Sequence, residues 1–360
     1  MTGRERVYGA LRHEPIDRVP RYDSFWDETL MNWGISAKEL AQRFDFDIRV
    51  FGLDNSMRFS TSREDLGEQE IVNDRCGYRV RRFKKGGPMD FLWHATAEYE
   101  GWSQNKHRFR LDPADESRVD VAAFFLRTTP VPDWDTAIAA INADSPDKFR
   151  LMNFYGPCEA TWRHHGFENW LMDMAAEPEW TMEMFGAVTN LTIETLDYAL
   201  QKGLKFDGIW MTEDLGSTRA TLMSPKTYRE LIFPWHKKLG DYVKSKNLKF
   251  FMHSCGDVSD LIPDFIEAGV DVLQPLQANT TMHVVRLKEQ YGDRISFWGN
   301  ISVAVMEQGK EAILEEAKSK LIPAKRGGGY LYHSDHSIPA DVTYENYAYL
   351  MGLLDEYGTY

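Results

Sequence analysis

The segment LKFFMHSCGDVSDLIPDFIEAGVDVLQP carries His253 and Cys255 two positions apart. Side chains two positions apart on a β-strand share a face, so an imidazole and a thiol here would aim at one point. Zinc takes such nitrogen and sulfur ligands, and a catalytic zinc needs three protein ligands with one position left open. The competing reading is a buried cysteine beside a hydrogen-bonded histidine. Two other segments offer a third ligand. In MTEDLGS, Glu213 and Asp214 are adjacent, so at most one faces the cavity unless the strand has already ended. That residue would serve as ligand, proton carrier or substrate clamp; otherwise the pair holds a carboxylate that caps the following helix or pairs with Arg219. HSDHSIP brings His333, Asp335 and His336 together, with His336 as a third ligand and Asp335 orienting a ligand or handling protons. Its alternative is a polar turn before the last helix, capped by Asp341.

Such residues need a scaffold that brings them to one place. The apolar runs RVPRYDSF, FDIRVFGL, FRLMNFYG, FDGIWMTE, LKFFMHSC, VDVLQPLQ, RISFWGNIS and GYLYHSDHS are mostly followed by helical patterns. Continuous apolar strands alternating with amphipathic helices predict a parallel sheet covered by helices. Eight units at this length fit an α/β TIM (β/α)8 barrel. The absence of G-x-G-x-x-G after the first run removes the main dinucleotide-fold signal. The stretch from about Arg58 to Asp147 breaks the alternation. It reads as antiparallel strands joined through GGPMD and followed by a DWDTAIAAINA helix, an excursion between the second and third barrel strands. We expect a single barrel domain over 1–360, with this excursion, at about 58–147, as a lid or rim element or a merely stabilising meander.

Barrel active sites form at the C-terminal ends of the strands. Besides the residues above, those ends offer Trp26, Asp54, Tyr155, Gln277, Trp298 and Asn300, which with His333 are the expected substrate-binding residues. Trp26 and Trp298 sit where a flat substrate could stack. The adjacent histidines of WRHHGFENW fit a helix-start element better than a metal site, and Cys158 fits a small buried hydrophobe.

Composition narrows the partners. The chain has 42 Lys and Arg against 55 Asp and Glu and shows no basic stripe, which argues against nucleic acid. The first twenty residues lack an apolar leader pattern and no later run is long enough for a bilayer. Three cysteines make a poor disulfide framework, and a reducing cytoplasm is the expected compartment.

The motifs RERVYGALRHEPIDRVP, YGPCEATW, GIWMTEDLGSTRATLMSPKTYRELIFPWHKKL, MHSCGDVSDLIPDFIEAGVDVLQPLQ and GGGYLYHSDHSIPADVTYENY resemble the uroporphyrinogen decarboxylase superfamily, which includes cobalamin-dependent methyltransferases. The resemblance covers nearly the whole chain and implies a TIM barrel. In its methyltransferase branch an H-x-C pair and a later cysteine bind zinc; His253 and Cys255 match the pair, and His336 stands where the later cysteine would fall. In its decarboxylase branch no metal is used and a histidine occupies that late position. That branch also relies on an N-terminal arginine-rich loop, which PIDRVPRYDSFWDETL does not reproduce, and on an aspartate for which only Asp54 or Asp47 could stand in. The resemblance thus implies a zinc-dependent transfer of a methyl group between a small methylated, for example methoxylated aromatic, substrate and a corrinoid. No D-x-H-x-x-G motif for binding cobalamin is present, so the corrinoid is expected on a partner protein. A homodimer is one option for assembly. The alternatives are a metal-free decarboxylase and a non-catalytic corrinoid or tetrapyrrole binder.

Overall fold

The computed structural model describes residues 1–84, 89–122 and 132–360. Strands β1 (Ile48–Leu53), β7 (Phe149–Tyr155), β8 (Gly208–Thr212), β9 (Lys249–His253), β10 (Val272–Gln274), β11 (Ser296–Trp298) and β12 (Tyr330–Leu331) lie side by side in chain order and all parallel. They match the second to eighth of the expected strands. The first, RVPRYDSF, forms isolated bridges in place of a regular strand. Pro20 has no N–H to give a ladder, yet the segment still spans the gap. Tyr332 N–H donates to the Pro20 carbonyl and Asp47 N–H to the Arg21 carbonyl, each at 2.8 Å. Backbone hydrogen bonds therefore link this segment to the last strand on one side and to the start of β1 on the other.

Alternation along the strands fills the interior. Ile48, Phe149, Leu151, Trp210, Phe251, Val272, Trp298 and Leu331 form one buried cluster, joined by Val7 of the N-terminal helix Gly3–Leu11. A larger cluster packs the other strand faces against the helices. Helices follow the strands: Ser224 caps the one at Pro225, Gly269 ends Ile262–Ala268 with φ +95°, and Asp133 caps Trp134–Ala143, the helix expected at DWDTAIAAINA.

Between β1 and β7, β2 (Ser62–Leu66), β3 (Gln69–Asp74), β4 (Tyr78–Phe83) and β5 (Met89–His94) make a four-stranded antiparallel sheet, and β6 (Val119–Asp120) pairs antiparallel with the end of β1. The GGPMD turn falls largely on residues 86–88, outside the described residues. The sheet is latched to the barrel just beyond β5. Thr96 accepts and donates hydrogen bonds with His164 and His165, and His94 bonds the Arg163 carbonyl. The two histidines thus end the helix Pro157–His165 and do not begin one, a correction to the expected helix start, because Gly166 breaks the chain there before the next helix. No helix among the described residues is long and apolar enough to cross a membrane.

Candidate functional site

Three side chains converge where β8 and β9 end. Cys255 Sγ lies 3.3 Å from His253 Nε2, and His253 Nε2 lies 3.3 Å from Asp214 Oδ1. One ligand atom from each of Asp214, His253 and Cys255 falls within 4.8 Å of the others. The parity argument resolves at Thr212, the last residue of β8. The next two side chains diverge, Asp214 toward the cluster and Glu213 away from it.

Neighbouring groups orient the three side chains toward one another. Gln274 Oε1, on the adjacent strand, lies 2.6 Å from His253 Nδ1 and accepts its hydrogen bond, which directs Nε2 toward Asp214 and Cys255. The Cys255 N–H donates to Asp214 Oδ1 at 2.9 Å, and Gly256 N–H to Gln277 Oε1 at 2.8 Å. Gly256 sits at φ +81° against Gly216, where any Cβ would collide with the Gly216 backbone; this clamps the loops after β8 and β9 together. Burial opposes charge on His253, but Cys255 and Asp214 outweigh it and raise its pKa well above the usual value. Burial likewise opposes charge on Asp214, and the hydrogen bond with His253, backed by Cys255 N–H and Arg163, lowers its pKa. The Asp214 side chain remains 42% exposed, so the cluster opens to the rim. Carboxylate, imidazole and thiol around an open side form a donor set suited to a catalytic zinc.

Comparison with known proteins agrees with this architecture. The family model described as Uroporphyrinogen decarboxylase (URO-D) matches residues 154–357, more than half of the chain. The chain belongs to the uroporphyrinogen decarboxylase family. A uroporphyrinogen decarboxylase from Chloroherpeton thalassium is 23% identical over 185 residues, which make up 50% of this chain and 49% of that protein. A methylated-thiol–coenzyme M methyltransferase from Methanosarcina mazei is 29% identical over 87 residues, 24% of this chain and 22% of that one. The chain thus spans half or less of the length of these curated relatives. Among solved structures, a methyltransferase from Methanosarcina mazei superposes with a TM-score of 0.67 at 16% identity, covering 99% of both chains, a likeness of fold.

The other expected residues of this uroporphyrinogen decarboxylase family member are placed differently. Glu213, fully buried, accepts hydrogen bonds from the N–H groups of Cys158 (3.0 Å) and Glu159 (2.9 Å) and pairs with His236 Nε2 at 2.9 Å. It therefore caps the preceding helix, Pro157–His165, not the following one, and does not touch Arg219. The YGPC motif serves that cap: a Cβ on Gly156 would lie 2.4 Å from Glu213 Oε2, and Pro157 opens the helix. His336 is exposed, 5.8 Å from the Trp26 ring, and lies outside the cluster because the turn after β12 carries it outward. Asp335, expected to handle protons, instead accepts the N–H groups of Ala278 (3.0 Å) and Val303 (2.8 Å). Asn300 accepts from Val284 N–H and donates to the Leu276 and Met282 carbonyls. Trp298, fully buried in the interior, donates Nε1–H to the Tyr332 carbonyl and presents no face to a ligand. His333 is buried against Tyr22 and Trp298 and bonds the Ser334 carbonyl. Arg75 and Arg58 pair with Asp54; despite its burial these charges, with Arg118, pull its pKa down to about 2. Tyr155 packs its ring 3.9 Å from the Arg163 guanidinium.

Arg163 and Glu159, paired four residues apart on the helix after β7, were not among the expected site residues. The signal was present in PCEATWRHH: a helix opening at a strand end, with acid and base at i, i+4.

Proposed function

We propose that this chain is a zinc-dependent methyltransferase that moves a methyl group between a small methylated compound, methoxylated aromatics among them, and a corrinoid carried by a partner protein. The observation that carries the reading is the convergence of Asp214, His253 and Cys255 at the open C-terminal end of the barrel. Relatives named as methyltransferases, one by sequence and one by fold, support it.

An ether or amine methyl resists displacement because its leaving group is a strong base. A zinc ion held by Asp214, His253 and Cys255 would supply Lewis acidity to that leaving atom. The chain's own part is positional. Gln274 fixes the histidine tautomer, Asp214 binds the Cys255 N–H, and the paired loops at Gly216 and Gly256 hold both segments in register. The antiparallel sheet, latched through Thr96, would serve as a rim against which substrate or partner is placed.

The decarboxylase reading draws on the Chloroherpeton relative. Against it stand Arg18 and Arg21, the arginines of the segment where that branch keeps its substrate-gripping loop. Here Arg18 is spent on Asp45 and Asp47, and Arg21 on Asp355.

Metal analysis of protein purified without chelator tests the proposal: about one zinc per chain is expected, with methyl transfer to reduced cobalamin that depends on it. Protein that holds no zinc and transfers no methyl when zinc is supplied would remove the reading. Conversion of uroporphyrinogen to coproporphyrinogen by metal-free protein would establish the alternative.

A further inference from the structure

At the opposite face of the barrel, near the N-terminal ends of the strands, a guanidinium has two buried nitrogens without a hydrogen-bond partner. Arg150 is the second residue of β7, and its neighbours Phe149 and Leu151 face the barrel interior, so its side chain runs outward under the helices. The residue is 8% exposed, and its Nε and Nη1 atoms are buried without a hydrogen bond. Other buried arginines behave differently. Arg6 binds Asp17, Arg21 binds Asp355, Arg75 binds Asp54, and Arg118 binds the Asp54 and Ser56 carbonyls. Arg150 uses only its backbone, donating N–H to Asp207 Oδ2 at 2.9 Å.

Arg150 lines a cleft of about 470 Å³ together with Arg4, Lys205, Asp207, Leu204 and Phe206. Asp207, the carboxylate lining the cleft, is already committed: Oδ1 takes Arg4 Nε at 2.6 Å and Tyr8 OH at 3.2 Å, and Oδ2 takes the Arg150 backbone. The lining therefore carries three cationic residues and one carboxylate, in a chain whose formal net charge is −13. Guanidinium does not shed its proton under ordinary conditions, so burial cannot be relieved by neutralisation as it can for lysine or histidine. A buried charge without a counter-charge is costly, and a buried donor without an acceptor adds to that cost. An anionic oxygen bound in the cleft would supply the counter-charge that Arg150 lacks.

We propose that this cleft binds a small oxyanion, a phosphate or carboxylate group, with Arg150 as the inner donor and Lys205 at the rim. The site lies at the other end of the barrel from the candidate metal centre and does not depend on its reading. Calorimetric titration with inorganic phosphate and with acetate, each against sodium chloride of equal ionic strength, tests it. One saturable site per chain is expected for at least one of the two anions; the stronger binder assigns the ligand as phosphoryl or carboxylate. Arg150→Met should weaken binding at least about tenfold, and Lys205→Glu, on an exposed residue, about three- to tenfold, both with zinc content unchanged. Heat changes no larger than those of chloride would overturn the proposal, as would wild-type affinity in Lys205→Glu together with Arg150→Met. Should Arg150→Met fail to fold, Lys205→Glu alone decides.

Discussion

Two sectors of one barrel rim carry equally polar strand ends and use them in opposite ways. Beyond β8 and β9, Asp214, His253 and Cys255 are each fixed by one neighbour while their ligating atoms face one another. Beyond β11 and β12, Asp335 and Asn300 give both ends of their side chains to backbone groups of neighbouring loops. Asp23 in that sector is more committed still, accepting from Ser334 N–H and Oγ and from the hydroxyls of Tyr332 and Tyr347. Residue type does not separate the sectors. What separates them is whether lone pairs remain after the scaffold has taken its share: a group that staples two loops has none to offer a ligand.

The comparison is broken most directly at the first sector. His253→Ala or Cys255→Ala should abolish zinc retention, a loss above the 10–100-fold that removal of a ligand's supporting partner costs, with little change in denaturation midpoint. Metal analysis and urea unfolding read the two quantities separately. Zinc retained in both variants would sink the assignment. Glu213→Ala probes the neighbour of Asp214 in the opposite sense. It strands a fully buried His236 and two helix N–H groups, and should cost about 3–5 kcal/mol of stability, while the folded fraction still binds zinc. A variant of native stability that had lost zinc would reverse the roles given to Glu213 and Asp214.

Gln274→Ala tests the support of the candidate metal centre. Without the Oε1 acceptor the imidazole can rotate or switch tautomer, and zinc affinity should fall about 10–100-fold. Competition with a chromogenic chelator measures it; an unchanged affinity would mean that His253 is held by something else. Asp335→Ala then tests the stapled sector. Two N–H groups lose their acceptor, so a cost of about 2 kcal/mol is expected, with zinc affinity at the wild-type level. Lost zinc with stability intact would place Asp335 in the chemistry.

Much of this contrast is legible in the amino-acid sequence. Alternation of apolar strands and helices locates seven parallel strands, and the break after FDIRVFGL locates the inserted sheet. The two-residue spacing of His253 and Cys255 implies a shared face, which the fold realises although Cys255 lies past the end of β9. The choice between Glu213 and Asp214 is not legible, because it depends on β8 stopping at Thr212, a register fixed by its neighbours rather than by local sequence. The outward path of the turn that carries His336 away is likewise a tertiary feature. The clearest missed signals are charges in apolar surroundings: Arg150 within FRLMNFYG and Arg163 within the helix after it.

The smallest expected effect concerns the latch that holds the inserted sheet to the barrel. His164 Nδ1 lies 2.7 Å from Thr96 Oγ1, its ring packs against Trp102 and Phe109, and its Nε2 is buried without a partner. Burial, reinforced by the nearby His165 and His94, holds its pKa well below the usual 6.5. Arg163 precedes it on the same helix, while Asp173 faces His165 and Glu183 faces Trp102 and not this ring. As pH falls through 6.5, the unfolded chain takes up a proton that the folded one refuses. Stability contributed by the neutral ring is therefore complete above that pH and is lost below it, by up to about 1.4 kcal/mol per pH unit. Unfolding free energies of the wild type and His164→Leu, compared between pH 7.5 and pH 5, isolate the contribution: the variant should be less stable at the higher pH, for want of the Thr96 bond, and show a shallower decline. Parallel declines in the two proteins would mean that the latch does not sense protons through this histidine.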